Sequence, residues 1–515
     1  MSYVTAVRAD SVALDLARVI ADLETFHGRV GVYDGPTAST ARLTIIGATS
    51  ADARTLIVGT ELELDGPAGR PLFRGHVTDS SIVDADPDDP AELRLVAIGK
   101  LARLGGVPVG LVDYPAEPWA ARVRRVLLEA GLYPGLNITL PYQAETWDAT
   151  APTTDGFTDG PPAYTFWNLP TGAAIWNYMA TLTTHKLVKG RRYHVSSPQI
   201  GGHPNNFLVA WAAAGDNATV WLPASAVGAW APFAWDFVSL NDSDPAGARL
   251  IFYLQSVPTA DHYLAIQPIT ITSPADFRII APVDDLDLAP RLAVDAGPAD
   301  ALTMLTELAS IGGAAVYDDP AGTIVVQSLE ARPVGSALTI PPALVAWAPP
   351  WEQHVDVVNR VTVPYVTGGV AGAVTVEDPA SIDRYGLAAT DLGGDGFASN
   401  ADAGRRARTV LVRRAWSRWA TDQLELVGTA ETLEVGALVN LSLLPASAPN
   451  GSATAILESV TLRVAGAAAA MALTLSDPVD SGAALPWNQV PAGFTWAEAQ
   501  GRWVDALTLE SIGAA

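Results

Sequence analysis

Cysteine is absent from the 515-residue chain, so it can form neither a disulfide framework nor a thiolate metal site. Cationic residues are also few. The sequence has 31 Lys and Arg against 55 Asp and Glu, which gives a formal net charge of −24 at pH 7. Nucleic acid and anionic membranes are bound through clustered Lys and Arg, so this balance argues against both as partners.

Long hydrophobic runs are lacking as well. The most apolar stretch, AGAAAAMALTL from Ala465, is too short to span a bilayer. The N-terminal stretch MSYVTAVRADSVALDLARV has neither a basic region nor a continuous apolar run, so we expect no signal peptide and no integral membrane segment. Because 49% of the residues are hydrophobic, a chain of this length predicts several separate cores.

Catalytic signatures are missing from the sequence. It contains no G-x-S-x-G, H-E-x-x-H, Walker or G-x-G-x-x-G motif, and no two histidines are spaced for a helical metal pair. The acidic stretch with Asp84, Asp86, Asp88 and Asp89 lacks the glycine and terminal glutamate of an EF-hand, which favours a solvated turn over a Ca²⁺ site. We therefore expect no catalytic residue, no metal and no cofactor.

The stretch from Leu72 to Gly110 is the clearest structural signal. It holds two alternating runs, 72–78 and 91–99, separated by the loop DADPDDP. In the second run Leu93, Leu95 and Ala97 share one face, opposite Glu92, Arg94 and Val96. This period of two predicts a hairpin of half-buried strands. Shorter runs of the same kind before it indicate a barrel or sandwich.

A helical period follows in PAEPWAARVRRVLLEAGLYPG, where apolar residues recur from Trp119 to Ala130. Three arginines, Arg122, Arg124 and Arg125, lie in the same helix. An anion site is one interpretation of them, and a solvated helix face is the interpretation that we favour.

Two further helices are predicted in the second half of the chain. One begins after Pro298 and ends at Gly312-Gly313, before a hairpin with an Asp-Pro-Ala-Gly turn. The other runs from about Ala403 to Ala420. Alternating strands after it complete the sequence pattern up to about residue 480.

A different composition marks residues 136 to about 274, which hold seven of the fifteen tryptophans. Short alternating runs such as FAWDFVSL and ARLIFYLQS predict a separate antiparallel β-sandwich. Exposed tryptophan and tyrosine rings can stack on sugars, whereas buried ones fill a core. We assign Trp235 to the core and name Trp211, Trp221 and Tyr253 as candidate carbohydrate-binding residues, for which a core position stays open.

Five segments follow one another along the chain: LFRGHVTD, LRLVAIGKLARLG, ALTMLTELASIGGAAVYDDPAGTIVV, AWAPPWEQHVDVVNRVTVPYV and DPASIDRYG. They resemble the tail hub (minor tail or baseplate hub) proteins of long-tailed bacteriophages. The resemblance covers roughly 1–135 and 285–480 in the order of that family. It implies a homotrimeric ring of barrel-like β-domains around a tail channel, with distal tail and tape measure proteins as partners. The segments KGRRYHVSS and FAWDFVSL are similar to jelly-roll carbohydrate-binding modules.

These observations predict a mainly β, multidomain chain with a few helices, in which barrel-like hub β-domains flank an inserted β-sandwich. The expected domains are a first hub β-domain 1–110, a helix leading into a hub α/β domain 111–135, the insert 136–283, the continued α/β domain 284–344, a second hub β-domain 345–480 and a docking tail 481–515.

The function that we expect is that of a non-enzymatic tail hub in the virion, assembled in the host cytoplasm, whose insert contacts host-surface glycan. Two alternatives stay open. One is a cell-wall or polysaccharide hydrolase with a binding module, and the other is a free carbohydrate-binding adhesin.

Overall fold

The computed structural model of the chain describes the following residues: 3–15, 20–30, 35–83, 92–140, 165–169, 178–183, 188–189, 191–202, 207–213, 216–221, 230–239, 248–254, 262–266, 269–280, 291–293, 297–329, 337–340, 342–346, 352–353, 357–392, 396–416, 419–420, 423–428, 433–441, 454–466 and 468–476. The acidic loop 84–91 and the predicted docking tail 481–515 lie outside them.

The chain forms two compact units. A scaffold unit comprises Met1–Tyr133 and Asp276–Ala515, and an inserted unit comprises Pro134–Ala275. The mainly β, multidomain fold class is thereby confirmed. The individual domain boundaries proposed from the sequence stay predictions.

The scaffold elements before the insert are mostly strands: β1 Ala6–Ala9, β2 Val12–Ala13, β3 Ile20–Gly28, β4 Thr40–Ile46, α1 Ser50–Thr55, β5 Glu61–Asp65, β6 Pro71–Val83, β7 Glu92–Ile98, β8 Pro108–Val109, β9 Glu117–Pro118 and α2 Trp119–Glu129.

The described elements of the inserted unit are all strands: β10 Leu136–Leu140, β11 Thr165–Leu169, β12 Tyr178–Thr183, β13 Arg192–Gly202, β14 Phe207–Ala213, β15 Asp216–Trp221, β16 Trp230–Val238, β17 Ala248–Leu254, β18 His262–Ile266 and β19 Ile269–Ser273.

The scaffold continues after the insert with β20 Phe277–Ile280, β21 Arg291–Leu292, β22 Ala299–Asp300, α3 Ala301–Gly312, β23 Ala314–Asp318, β24 Ile324–Ser328, β25 Leu338–Thr339, β26 Glu352–Gln353, β27 Arg360–Thr367, β28 Val370–Glu377, α4 Pro379–Tyr385, β29 Ala389–Asp391, α5 Asn400–Arg414, β30 Trp419–Ala420, β31 Gln423–Val427, β32 Leu438–Asn440, β33 Thr454–Ala465 and β34 Ala468–Ser476.

The predicted hairpin lies at the centre of a twelve-stranded scaffold sheet. β6 pairs with β7, and β7 pairs with β4, all antiparallel. Leu93, Leu95 and Ala97 are at most 2% exposed, whereas Glu92, Arg94 and Val96 are more exposed. The alternation predicted from the sequence is confirmed, because the apolar positions of β7 all lie in one core.

Strands from the two ends of the chain share this sheet. β3 pairs with β33 from Asp22↔Ala465 to Gly28↔Ser459. One hydrophobic core includes Leu23 and Leu43 from the first segment and Leu462 and Leu473 from the last. The sequence predicts two barrel-like domains, 1–110 and 345–480, whereas β31 to β34 of the second segment join β1 to β7 of the first in one sheet. Strand periodicity identifies a strand but not its distant partner.

A smaller α/β layer adjoins the sheet. Helices α2 and α3 pack with the three-stranded sheet β20-β24-β23 around a second core. Asp300 caps the start of α3 by accepting a hydrogen bond from the backbone N–H of Thr303, and Gly313 ends the helix at φ 61°. This helix agrees with its sequence signals. The third predicted helix ends earlier than expected, at Arg414, because Trp419 and Ala420 form β30.

The inserted unit contains a six-stranded and a four-stranded antiparallel sheet. β16 alternates between buried and exposed residues, with Phe233, Trp235 and Phe237 at most 9% exposed. The ring centroids of Trp235 and Phe237 lie 4.9 Å apart. The core assignment of Trp235 is confirmed.

The two scaffold residues that border the insert are joined to each other. The backbone N–H of Asp276 donates to the Tyr133 carbonyl oxygen at 2.8 Å, and Asp276 Oδ2 accepts from the Tyr133 N–H at 3.0 Å. Lys100 Nζ lies 2.8 Å from Asp276 Oδ1. The scaffold therefore holds its own ends together at the point of insertion.

This junction predicts that the scaffold folds without residues 134–275. If Tyr133 is joined to Asp276 through a two-residue Asn-Gly turn, the two ends need no rearrangement. We expect the shortened chain to be soluble and to unfold cooperatively in calorimetry, and residues 134–275 expressed alone to do the same. Aggregation of both fragments would show that the two units depend on a common core.

Candidate functional site

The three candidate sugar-binding residues lie in the four-stranded sheet of the inserted unit. Trp211 is in β14, Trp221 in β15 and Tyr253 in β17. Leu208 of β14 is the register partner of both Trp221 and Tyr253, so these two belong to one cross-strand row. Trp211 belongs to another row, with Ala218 and Leu250 as its partners.

Backbone alternation separates the three positions. Leu208 and Trp211 are three residues apart in a regularly paired strand, and such residues occupy opposite faces of a sheet. The backbone register therefore places Trp221 and Tyr253 at one set of alternating positions and Trp211 at the other.

The six-stranded sheet has a polar face that the sequence analysis did not single out. His194 and Asp236 lie opposite each other, with 2.9 Å between Nδ1 and Oδ1, and Thr272 is the other register partner of His194. Ser196 and Thr270 form the adjacent row. These side chains are at least partly exposed, and hydroxyl, imidazole and carboxylate groups can hydrogen-bond to a polar ligand. The alternation of RRYHVSS is the sequence signal for this face.

A buried serine, histidine and aspartate cluster lies in the scaffold. His27 Nδ1 is 2.9 Å from Ser39 Oγ, and His27 Nε2 is 2.7 Å from the Leu72 carbonyl oxygen. Asp318 accepts hydrogen bonds from the backbone N–H groups of Ser39 and Leu101 at 3.1 and 3.0 Å. Burial lowers the pKa of His27 to about 4 and raises that of Asp318 to about 6.

The order of these contacts differs from that of a hydrolase triad. In a triad the carboxylate orients the histidine, which in turn activates the serine. Here the described contacts of the Asp318 carboxylate are to backbone N–H groups and not to His27, and the three residues are at most 4% exposed. The cluster joins β3, the residue before β4 and β23 by hydrogen bonds, so its role is structural.

The arginines of α2 require a correction. Arg122 is only 1% exposed, so the predicted solvated helix face is wrong for this residue. Its Nε lies 2.7 Å from Glu117 Oε1, its Nη2 donates to the carbonyl oxygens of Pro115 and Ala293, and its guanidinium lies over the Tyr114 ring. Arg125 also binds Glu117, at 2.9 Å. Arg124 is exposed, as expected.

The reason for this correction is the position of Glu117. Glu117 lies in β9, before the helix, and it is buried. Burial alone would raise the pKa of this carboxyl group. Its hydrogen bonds to Arg125 and Arg122 outweigh burial and hold the pKa below its usual value. Helical periodicity cannot identify a partner that lies before the helix.

The described residues contain neither a metal-binding cluster nor a membrane-spanning helix. No cluster of three or more His, Asp or Glu there is arranged to hold a metal ion, and Asp84, Asp86, Asp88 and Asp89 lie outside that part of the chain. No helix among those same residues is long and apolar enough to cross a membrane.

No family model and no curated protein matches the sequence. Among solved structures, the chain is similar to the 43 kDa tail protein of prophage MuSo2 from Shewanella oneidensis, at 10% identity and a TM-score of 0.43 over 92% of this chain and 98% of that one. It is also similar to a tail protein from Neisseria meningitidis MC58, at 10% identity and a TM-score of 0.47 over 93% and 98%.

A carbohydrate-binding module from Cellvibrio mixtus lichenase 5A, solved with cellotriose, matches 27% of this chain and 97% of its own, at 13% identity and a TM-score of 0.18. The tail proteins are of the class that the sequence segments resemble. Since all three TM-scores lie below 0.5, the functional argument rests on the chain's own residues.

The His27 cluster predicts a pH dependence of scaffold stability. The folded-state pKa of His27 is lowered, so this histidine contributes stability above about pH 6.5 that is lost as the pH falls toward 4. In denaturant titrations, the unfolding free energy of the wild type should fall by up to about 3 kcal/mol relative to His27→Gln across this range. Asp318 titrates in both proteins and cancels. A difference that is independent of pH would contradict a buried, neutral His27.

Proposed function

We propose that the chain is a non-enzymatic structural protein of a bacteriophage tail tip, a tail hub that assembles as a homotrimer around the tail channel. The distal tail and tape measure proteins are its proposed partners in the virion. The ordered segments that resemble tail hubs support this proposal, and they lie in the scaffold unit on both sides of the insert.

The observation on which the proposal rests is the interrupted scaffold. Segments separated by the whole insert form one sheet through β3 and β33, and the junction of Tyr133 with Asp276 closes the scaffold where the insert leaves it. This is the arrangement expected of a structural body that displays an additional module. The one serine, histidine and aspartate cluster found in the described part of the scaffold is buried, so it gives no support to the hydrolase alternative.

The inserted unit is proposed to bind host-surface glycan. Its two antiparallel sheets fit a β-sandwich, and its sequence segments resemble carbohydrate-binding modules. Trp221 and Tyr253 in one row, or Trp211 on the opposite face, are the proposed stacking residues. Aromatic rings stack on the apolar C–H faces of sugars.

The hub role is tested by locating and counting the protein in virions. Antibody labelling in electron microscopy should place it at the tail tip, and quantitative mass spectrometry should find three copies per tail. Purified protein should sediment as a trimer, because identical subunits around a channel adopt closed rotational symmetry. A monomer that is absent from tails would contradict the proposal.

The glycan role is tested by comparing the two faces of the four-stranded sheet. If the pair forms the site, Trp221→Ala combined with Tyr253→Ala should weaken cell-wall binding at least about tenfold, which corresponds to about 1.4 kcal/mol, with little change in melting temperature. Trp211→Ala is the matched variant. If Trp211 is a core residue, this substitution should instead lower the unfolding free energy by about 3–5 kcal/mol.

The opposite pattern would assign binding to Trp211. Unchanged binding in all well-folded variants would contradict the proposed glycan site. The hub role is tested independently by the experiments on virions.

A further inference from the structure

Two exposed aromatic side chains lie next to each other on the scaffold. Tyr385, the last residue of α4, and Trp416, two residues after α5, are each 38% exposed. Their ring centroids lie 6.0 Å apart in an edge-to-face arrangement. Among the side chains that the structure describes, no other tryptophan or tyrosine is exposed, and no phenylalanine is. An exposed aromatic pair is typical of a surface that contacts another segment or molecule.

Two further residues extend this surface. The guanidinium of Arg384 lies over the Tyr385 ring, at 5.4 Å from its centroid, and Leu387 is 55% exposed. Within the described part of the chain, Arg384 forms no ion pair with a carboxylate. These four residues, Arg384, Tyr385, Leu387 and Trp416, form an aromatic patch. Trp, Tyr and Arg are the residue types that carry most of the binding energy at interfaces.

Buried polar contacts hold the aromatic patch in place. Asn359 is fully buried, its Nδ2 donates to the Gly386 carbonyl oxygen at 2.7 Å, and its Oδ1 accepts from the Ala388 N–H at 2.7 Å. The loop after α4 is thereby fixed. Trp416 Nε1 donates to Asp378 Oδ2 at 3.0 Å, so the remaining indole surface is apolar. A surface that is fixed before binding loses little conformational entropy when a partner docks on it.

The chain beyond β34 begins within reach of the aromatic patch. Gln423, seven residues after Trp416, pairs with Thr474 of β34. Seven residues span at most about 25 Å and paired strands lie about 5 Å apart, so Trp416 lies within about 30 Å of Thr474. The C-terminal segment 477–515, which includes the predicted docking tail, follows β34 and lies outside the described residues. Its tryptophans follow Thr474 by 13, 22 and 29 residues, and unstructured chains of these lengths have end-to-end distances of about 20–30 Å.

The composition of the C-terminal segment matches the aromatic patch. It contains one phenylalanine and three tryptophans: Trp487, Phe494, Trp496 and Trp503. It also has five Asp and Glu against one Arg, whereas α5, which leads to Trp416, has five Arg and one Asp. The whole chain has a net charge of −24, so this cationic helix is a local exception. Aromatic rings pack on aromatic rings and carboxylates pair with arginine, so the segment and the patch are complementary.

We propose that the C-terminal segment docks on the aromatic patch of its own chain. Its tryptophans pack against Tyr385 and Trp416, and its carboxylates lie near Arg384. A tether of this length gives an effective concentration in about the millimolar range, so modest contacts are sufficient to hold the segment. This contact lies within one chain and does not depend on the proposed hub role.

Photo-crosslinking of the full chain tests this contact. Because the chain has no cysteine, Leu387→Cys provides a single site for a benzophenone maleimide. After irradiation, mass spectrometry should find residue 387 joined to peptides from 477–515. In a mixture of unlabelled and isotope-labelled protein, the two joined peptides should come from the same copy. Val370→Cys, at an exposed position of β28, is the control and should not crosslink to the segment.

Hydrogen exchange provides a second measurement. Arg384→Glu combined with Leu387→Asp should make the amides near the tryptophans of the C-terminal segment exchange at least about tenfold faster than in the wild type, since docking protects them. The amides of β33 and β34 should be unaffected. Arg124→Glu combined with Leu128→Asp makes the same changes at exposed positions of α2 and should leave exchange of the segment unchanged.

Three outcomes would contradict the proposal. Crosslinks that join differently labelled chains would place the segment on another copy. Equal protection of the segment in the wild type and in the variant with Arg384→Glu and Leu387→Asp would place its docking site elsewhere. Unprotected exchange in the wild type, with no crosslink from residue 387, would show that the segment does not dock. All three would leave the test of the hub role in virions unaffected.

Discussion

The scaffold depends on the pairing of β3 with β33, which brings the two ends of the chain into one sheet. At the end of this pairing Arg29 Nε lies 2.6 Å from Glu458 Oε2, and both side chains are at most 2% exposed. Gly28 has a φ of 105°, and a Cβ there would come within 2.2 Å of the Glu458 carbonyl oxygen, so only glycine fits. A buried ion pair of this kind favours one register, since either charge left alone would be costly to bury.

This pairing explains how the chain accommodates a large insertion. Among the described residues, the core of the large sheet is built from positions on both sides of the insert. An ion pair between Lys100 and Asp276 joins the scaffold segments on either side of the insert. A scaffold organised in this way can stay unchanged while the inserted unit varies, which is compatible with the proposed combination of a structural role and glycan binding.

Local patterns in the sequence were sufficient where the interaction is local. The alternation of β7 and the end of α3 at Gly313 follow from hydrophobic period and backbone preference. Interactions between residues that are distant in the sequence could not be predicted from these patterns. The burial of Arg122 depends on Glu117, which precedes its helix, and the register positions of Trp211, Trp221 and Tyr253 depend on how distant strands pair. Composition predicted a separate unit in the middle of the chain, but it could not place a binding site within that unit.

Native-state hydrogen exchange of the scaffold tests most directly whether both ends of the chain form one body. The account predicts that the central amides of β3 and β33, around Leu23 and Leu462, exchange with the same free energy and through the same cooperative unfolding. Exchange of β33 through a separate, lower-energy opening, while β3, β4 and β7 stay protected, would contradict it.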